Sequence, residues 1–182
     1  MSILICFVSN DIRSGNENGV FDTTINKVLI LRNSNSVLNN IGDITSKLDK
    51  GKDFPDALFK STTGTEVLKV VFFPGDPENC ISMFEVAERK AYNKVHKLWP
   101  TRFKLFETES GVKLGISKEK LLKIKPGKYK ESKIGDQTIL LLSTDSVDDK
   151  LFLDKYNMVS YTVSYYFRSN RLVKFSFGFE YP

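Results

Sequence analysis

The sequence predicts an α+β fold in which short helices pack on an antiparallel sheet. Three observations carry this. The end of the chain reads as an aromatic hairpin, with 159–167 (VSYTVSYYF) and 172–179 (LVKFSFGF) flanking the polar turn Arg168-Ser169-Asn170-Arg171. The second segment sets Val173, Phe175, Phe177 and Phe179 on one face, at the period of a half-buried strand. The composition agrees: 14 Phe and 7 Tyr against 3 Met favour strands laid on a helical layer. Finally, one phrase occurs twice. Phe21-Asp22-Thr23 opens a stretch closing at Gly42, and Phe106-Glu107-Thr108 opens one closing at Gly127; both the phenylalanines and the glycines are 85 positions apart. Such spacing predicts duplication. The chain therefore divides into a leader or truncated signal segment (1–20) and two tandem helix-plus-hairpin repeats (21–100 and 101–182), or 21–182 forms one continuous domain.

Each element has its own signal. The apolar run Ile3 to Val8 matches the tail of a signal core without its basic start, and equally a first strand. Asn10 to Gly19 reads as a polar leader. Thr24 to Leu31 reads as one strand, followed by a short helix capped by Ser34 and stopped at Gly42. Glu66 to Phe73 is a strand, and Pro74-Gly75-Asp76-Pro77 turns the chain. Cys80 to Val86 is its return partner, and Ala87 to Leu98 is helix-compatible. Trp99-Pro100 ends that segment.

In the second half Arg102 to Phe106 alternates like a strand. Ser117 caps a helix over Lys118 to Lys125, and Pro126-Gly127 ends it. Thr138 to Leu142 is a buried strand, Ser143 to Asp149 an acidic turn, and Leu151 to Tyr156 a short excursion before the hairpin.

The layout of Gly115-Ile116-Ser117, short helix, Gly127, strand and aromatic hairpin resembles the repeat of the β-lactamase-inhibitor-protein-like fold. It is also similar to the small outer-membrane lipoprotein of the barrel-assembly machine and to secreted bacterial proteins of the same layout. The resemblance covers Phe106 to Tyr181, and more loosely Phe21 to Val86. It implies helices on one face of an antiparallel sheet, and a role in binding proteins or peptidoglycan. The family shares no catalytic residues, so none is carried over.

Charge is polarised. Between Arg89 and Lys133 there are 14 Lys/Arg against four acids, a net of +10, whereas the remainder holds 13 basic and 18 acidic residues, a net of −5. A basic middle attracts nucleic acid, anionic lipid or an acidic protein, or serves solubility. Cys6 and Cys80 are too few for a disulfide framework and lack metal-type spacing, although one bridge suits an oxidising compartment. No segment approaches the ~18–20 apolar residues of a membrane helix.

Chemistry-bearing motifs are sparse. His96 is the single histidine, and with Cys80 it forms the one conceivable thiolate–imidazole pair. Asp145, Asp148 and Asp149 read as a solvated turn rather than a calcium loop. No phosphate-cradling glycine pattern occurs, so the sequence calls for no cofactor and no metal. The function predicted first is a non-enzymatic binding or structural protein of the bacterial cell envelope or exterior, periplasmic, outer-membrane associated or secreted, with another protein as partner. Its site would be an aromatic sheet face bearing Tyr161 and Tyr165, rimmed by Arg168 and Arg171, unless that face is all core. The alternatives are a nucleic-acid module using the 89–133 segment, with Lys118, Lys123 and neighbouring lysines around Tyr129, and a hydrolase using Cys80/His96 or the acids. A cytoplasmic location is the alternative compartment.

Overall fold

The computed structural model describes residues 21–49, 51, 53–74, 80–95, 97–144 and 150–180. The leader, His96 and the acidic turn at 145–149 lie outside the described residues. The fold is α+β, with most of the structure in sheet. An eight-stranded sheet runs in the order β6(Trp99–Pro100), β3(Asp56–Lys60), β4(Glu66–Phe72), β5(Ile81–Glu88), β10(Arg171–Phe179), β9(Tyr161–Arg168), β8(Gln137–Thr144), β7(Lys130–Ile134). Every neighbouring pair is antiparallel except β3 with β6. A two-stranded ribbon, β1(Thr24–Ile25) and β2(Leu29–Ile30), stands apart. The helices are α1(Ser34–Ile41), α2(Lys118–Ile124) and α3(Lys150–Tyr156).

The inner face of the sheet makes the core. Phe59, Leu68, Val70, Phe72, Phe84, Val86, Phe175, Phe177, Tyr161, Val163 and Tyr165 join Val37, Leu121 and Leu153 from the helices in one cluster. The β9–β10 hairpin closes through Ser169-Asn170, both at positive φ (48° and 59°), the primed turn that matches strand twist. α2 starts at Ser117, whose side chain accepts the Lys120 N–H.

Four expectations are corrected. Thr24 to Leu31 is not one strand, because Asn26 and Lys27 take positive φ (53° and 60°) and fold it into the β1–β2 ribbon. The cap of α1 is Asn33, not Ser34; its side chain accepts the Ser36 N–H. Ala87 to Leu98 is not an α-helix: β5 runs on to Glu88 and gives way to a 3-10 turn at Arg89–Tyr92. Arg102 to Phe106 is not a strand. Its backbone bonds irregularly, Phe106 N–H to the Glu66 carboxylate and the Phe103 carbonyl to Thr62 N–H.

The chain reaches β6 from β5 by crossing the outer face. Tyr92 hydroxyl donates to Glu85 on that face, and Val67 and Ala87 beneath are fully buried although outside the inner core cluster. The two halves of the chain meet at β5 and β10, where Gly178 faces Met83. A Cβ on Gly178 would stand 2.3 Å from the Ser82 carbonyl oxygen and 2.6 Å from Met83 Cα. Both are backbone atoms, so the strands themselves must separate. Gly178→Ala is expected to lower stability by about 1–3 kcal/mol, the range for overpacking. Urea denaturation checks this, and an unchanged midpoint refutes the close approach.

Candidate functional site

Alternation decides which side chains of the terminal hairpin are accessible. Tyr161, Val163, Tyr165 and Phe167 share a face, and that face is inward: Tyr161 is 1% and Tyr165 2% exposed. The aromatic sheet face proposed from sequence is therefore core, and these two residues leave the candidate site. Tyr161 hydroxyl donates to the Asp22 carbonyl at 2.7 Å, and its ring packs against Phe21, Phe152 and Phe179. A bulge at Val173 shifts the register of β10, so that Leu172, not Val173, opposes Phe167.

Around these tyrosines lies a buried polar cluster. Lys125 Nζ stands 3.0 Å from Asp22 Oδ1, with side chains 1% and 2% exposed. Ser110 donates its hydroxyl to Asp22 Oδ2 at 2.9 Å and its N–H to Oδ1. The Glu109 carboxylate accepts the N–H and hydroxyl of both Thr23 and Thr24. Tyr129 hydroxyl donates to the Lys125 carbonyl. Burial, reinforced by the Asp22 charge, pushes the Tyr161 and Tyr165 phenols well up and Tyr129 to about 12. Burial also raises the Glu109 carboxyl, aided by Asp22 and opposed by the threonine N–H groups. The cluster joins the segments opening at Phe21 and Phe106 and the end of α2; it is internal mortar.

The accessible counterpart is the outer face of the same strands. Lys174, Ser176 and Gly178 of β10 lie beside Tyr166, Ser164 and Thr162 of β9, and these beside Ile139, Leu141 and Ser143 of β8. Lys174 Nζ sits 4.1 Å from the centroid of the Tyr166 ring and 3.4 Å from Glu85 Oε2. Tyr92 shares Glu85, and burial with the Glu85 charge raises its phenol. Across β3–β5 the crossover segment occupies this face; over β10, β9 and β8 Lys174, Ser176, Tyr166, Thr162, Ile139 and Leu141 are half-buried and Ser143 exposed, whereas Ser164 and Gly178 are buried. Tyr166 stands out in the sequence among the hairpin aromatics but on the opposite face from Tyr161 and Tyr165, and Lys174, which alternates with Phe175, was missed.

The remaining predicted residues are scattered. Arg168 Nε approaches Asp136 Oδ2 at 2.7 Å, at an angle too bent for a hydrogen bond. Arg171 borders a cleft of about 370 Å³ at the ends of β4, β5 and β10, with Glu66, Glu88, Arg89 and Leu114. Glu66 and Glu88 are cross-strand partners there. Glu66 is tied to Phe106 N–H, and Glu88 Oε2 is 2.6 Å from Lys90. Lys118 pairs with Glu131 at 2.6 Å, and Lys123 is exposed on α2. Tyr129 is half-buried against Tyr165, so it does not offer a free ring for base stacking. Cys80 is 1% exposed and disulfide-bonded, which removes the thiolate of the hydrolase reading; Cys6, the other cysteine, lies outside the described residues. Among known proteins, the chain matches no family model, no curated protein and no solved structure.

Two outcomes follow for the buried cluster. Lys125→Met strands the Asp22 carboxylate and is expected to cost about 3–5 kcal/mol, read by chemical denaturation; a loss under about 1 kcal/mol would show the pair to be dispensable. Glu109 gives a pH signature. Its raised native pKa means that the folded state holds the proton more tightly than the unfolded chain. That contribution is full in acid and is lost as pH rises from the ordinary glutamate value of 4.5 through the raised one. Glu109→Gln removes it, so stability of the variant minus that of wild type should climb with pH across this window. A flat difference refutes the burial.

Proposed function

We propose that this chain is a non-enzymatic binding module of the bacterial envelope or exterior, holding another protein on the outer face of β10, β9 and β8. The observation that carries the reading is the Lys174 ammonium fixed between the Tyr166 ring (4.1 Å) and Glu85 (3.4 Å). An aromatic ring and a cation already held in position lose little freedom on docking, and such residues dominate binding hot spots. Half-buried Ile139, Leu141 and Met83 beside them add apolar area, and Thr162 and Ser176 add hydrogen-bonding groups. The disulfide at Cys80 fits an oxidising compartment.

The repeated layout supports the same reading. Antiparallel runs β3-β4-β5 and β8-β9-β10 meet edge to edge at β5 and β10, in mirrored order. Each follows a short helix and a phrase opening on a buried phenylalanine, Phe21 or Phe106. We read them as two fused helix-plus-strand units, of the kind expected from the β-lactamase-inhibitor-protein-like resemblance.

The test compares wild type with Tyr166→Ala/Lys174→Glu as immobilised bait in envelope extract, with quantitative mass spectrometry and a circular-dichroism check of folding. A defined protein is expected to be retained by wild type and reduced at least about tenfold by the variant, a hot-spot-sized loss. Equal retention by both rules out this face.

A second reading, nucleic-acid binding, has one observation in its favour. Lys120, Lys123, Lys128, Lys130 and Lys133 have no acidic partner among the described residues. It requires binding that weakens steeply with salt; salt-independent retention of an oligonucleotide rejects it.

A further inference from the structure

We propose that two copies of this chain pair edge to edge through β7. The strand ends the eight-stranded sheet, and all five of its residues are exposed. Its partner β8 lies on one side only, so one row of backbone groups on the other side is unbonded within the sheet. Exposed edges of this kind are templates for another strand, and proteins usually blunt them with charges that repel. Here the charges are self-complementary.

The register is set by the hairpin. β7 and β8 are joined by the two residues Gly135-Asp136, with Gly135 at φ +59°. In such a turn the closing pair Ile134–Gln137 is hydrogen-bonded. Bonded and non-bonded pairs alternate, so Ser132 and Lys130 also bond to β8. The outward N–H and C=O groups therefore belong to Glu131 and Lys133. An antiparallel match with Ser132 on the two-fold axis opposes Glu131 to the Lys133 of the other copy, and the reverse. Each such pair exchanges two backbone hydrogen bonds and sets a carboxylate beside an ammonium on the same face. The same register brings Lys128 opposite Asp136 of the second copy. Lys133 has no acid partner in its own chain among the described residues, whereas Glu131 stands 2.6 Å from Lys118. Shifting the match by two residues sets Lys133 against Lys133 or Glu131 against Glu131, which disfavours the alternatives.

Three proteins test this: wild type, Lys133→Pro and Ser132→Cys. Proline at 133 deletes an outward N–H and leaves the pairing with β8 intact. Ser132 is self-paired at a non-bonded site, where Cβ atoms approach closely enough for a disulfide. Sedimentation equilibrium of wild type should show a monomer–dimer transition below about 200 μM. Lys133→Pro should weaken it at least about tenfold, with an unchanged circular-dichroism spectrum. Ser132→Cys should give a covalent dimer on a non-reducing gel after mild oxidation. Wild type remaining monomeric throughout overturns the proposal, as does undiminished dimerisation of Lys133→Pro. A Ser132→Cys protein that dimerises reversibly but does not cross-link overturns the register.

Discussion

The buried ion pair of Asp22 and Lys125 is the constraint around which this molecule is organised. Two charges in a dry interior are tolerated only when their remaining hydrogen-bonding capacity is met. Here it is met from several directions, because Ser110 supplies two donors to Asp22, and Tyr161 and Tyr129 bind the main-chain carbonyls of the two partners. Those contributors come from the segments opening at Phe21 and Phe106, the end of α2, the loop before β7 and strand β9. Moving Ser110 or Lys125 strips a partner from the Asp22 carboxylate, and moving Tyr161 or Tyr129 breaks a bond to the backbone that carries the pair. Hydrophobic burial supplies most of the driving force, but an apolar core of interchangeable rings specifies position poorly. The polar cluster fixes which phrase lies against which.

That fixed arrangement explains the asymmetry of the sheet. Each half contributes an antiparallel run, and the runs join where Gly178 lets β10 approach β5. The first run is followed by a crossover that returns over its own outer face, sealing Val67 and Ala87, before ending as β6. Similar strand layouts thus acquire different surfaces, one half covered and one half presenting Lys174, Tyr166 and their aliphatic neighbours.

Local signals in the sequence gave reliable elements where chemistry is unambiguous. The Ser117 cap, the Gly42 stop and the alternation within 159–167 each depend on a few adjacent residues; the first two became structure as read, and the third did so from Tyr161 onward, with Val159 left exposed outside the strand. Failures came where a distant group decided the outcome. Arg102 to Phe106 alternates, yet Glu66, forty residues away, takes the Phe106 N–H. The helix-compatible 87–98 loses its first turn because Ala87 and Glu88 pair with Val67 and Glu66 across the β4–β5 ladder, leaving only a 3-10 turn at Arg89–Tyr92. For the site, period two correctly grouped Tyr161 with Tyr165 but carries no information on which side the helices lie. The inward choice was made by Asp22 and the rings of Phe21 and Phe152, so the accessible residues proved to be those in between.

The basic middle of the chain shows why linear charge counts mislead. Its lysines divide into populations with different physics. Lys125 is internal and structural, and Lys113 and Lys118 are tied to Glu107 and Glu131. What remains, on the outer side of α2 and along β7, is a short cationic margin interrupted by the acids of the β7–β8 hairpin. A margin of mixed sign suits a partner of matching pattern better than a uniform polyanion, since long-range attraction to phosphates scales with the number of free cations while register depends on their alternation. On that ground the edge of the sheet and its outer face are two surfaces with separate roles, one selected by charge order and the other by a ring and an ammonium held together in advance.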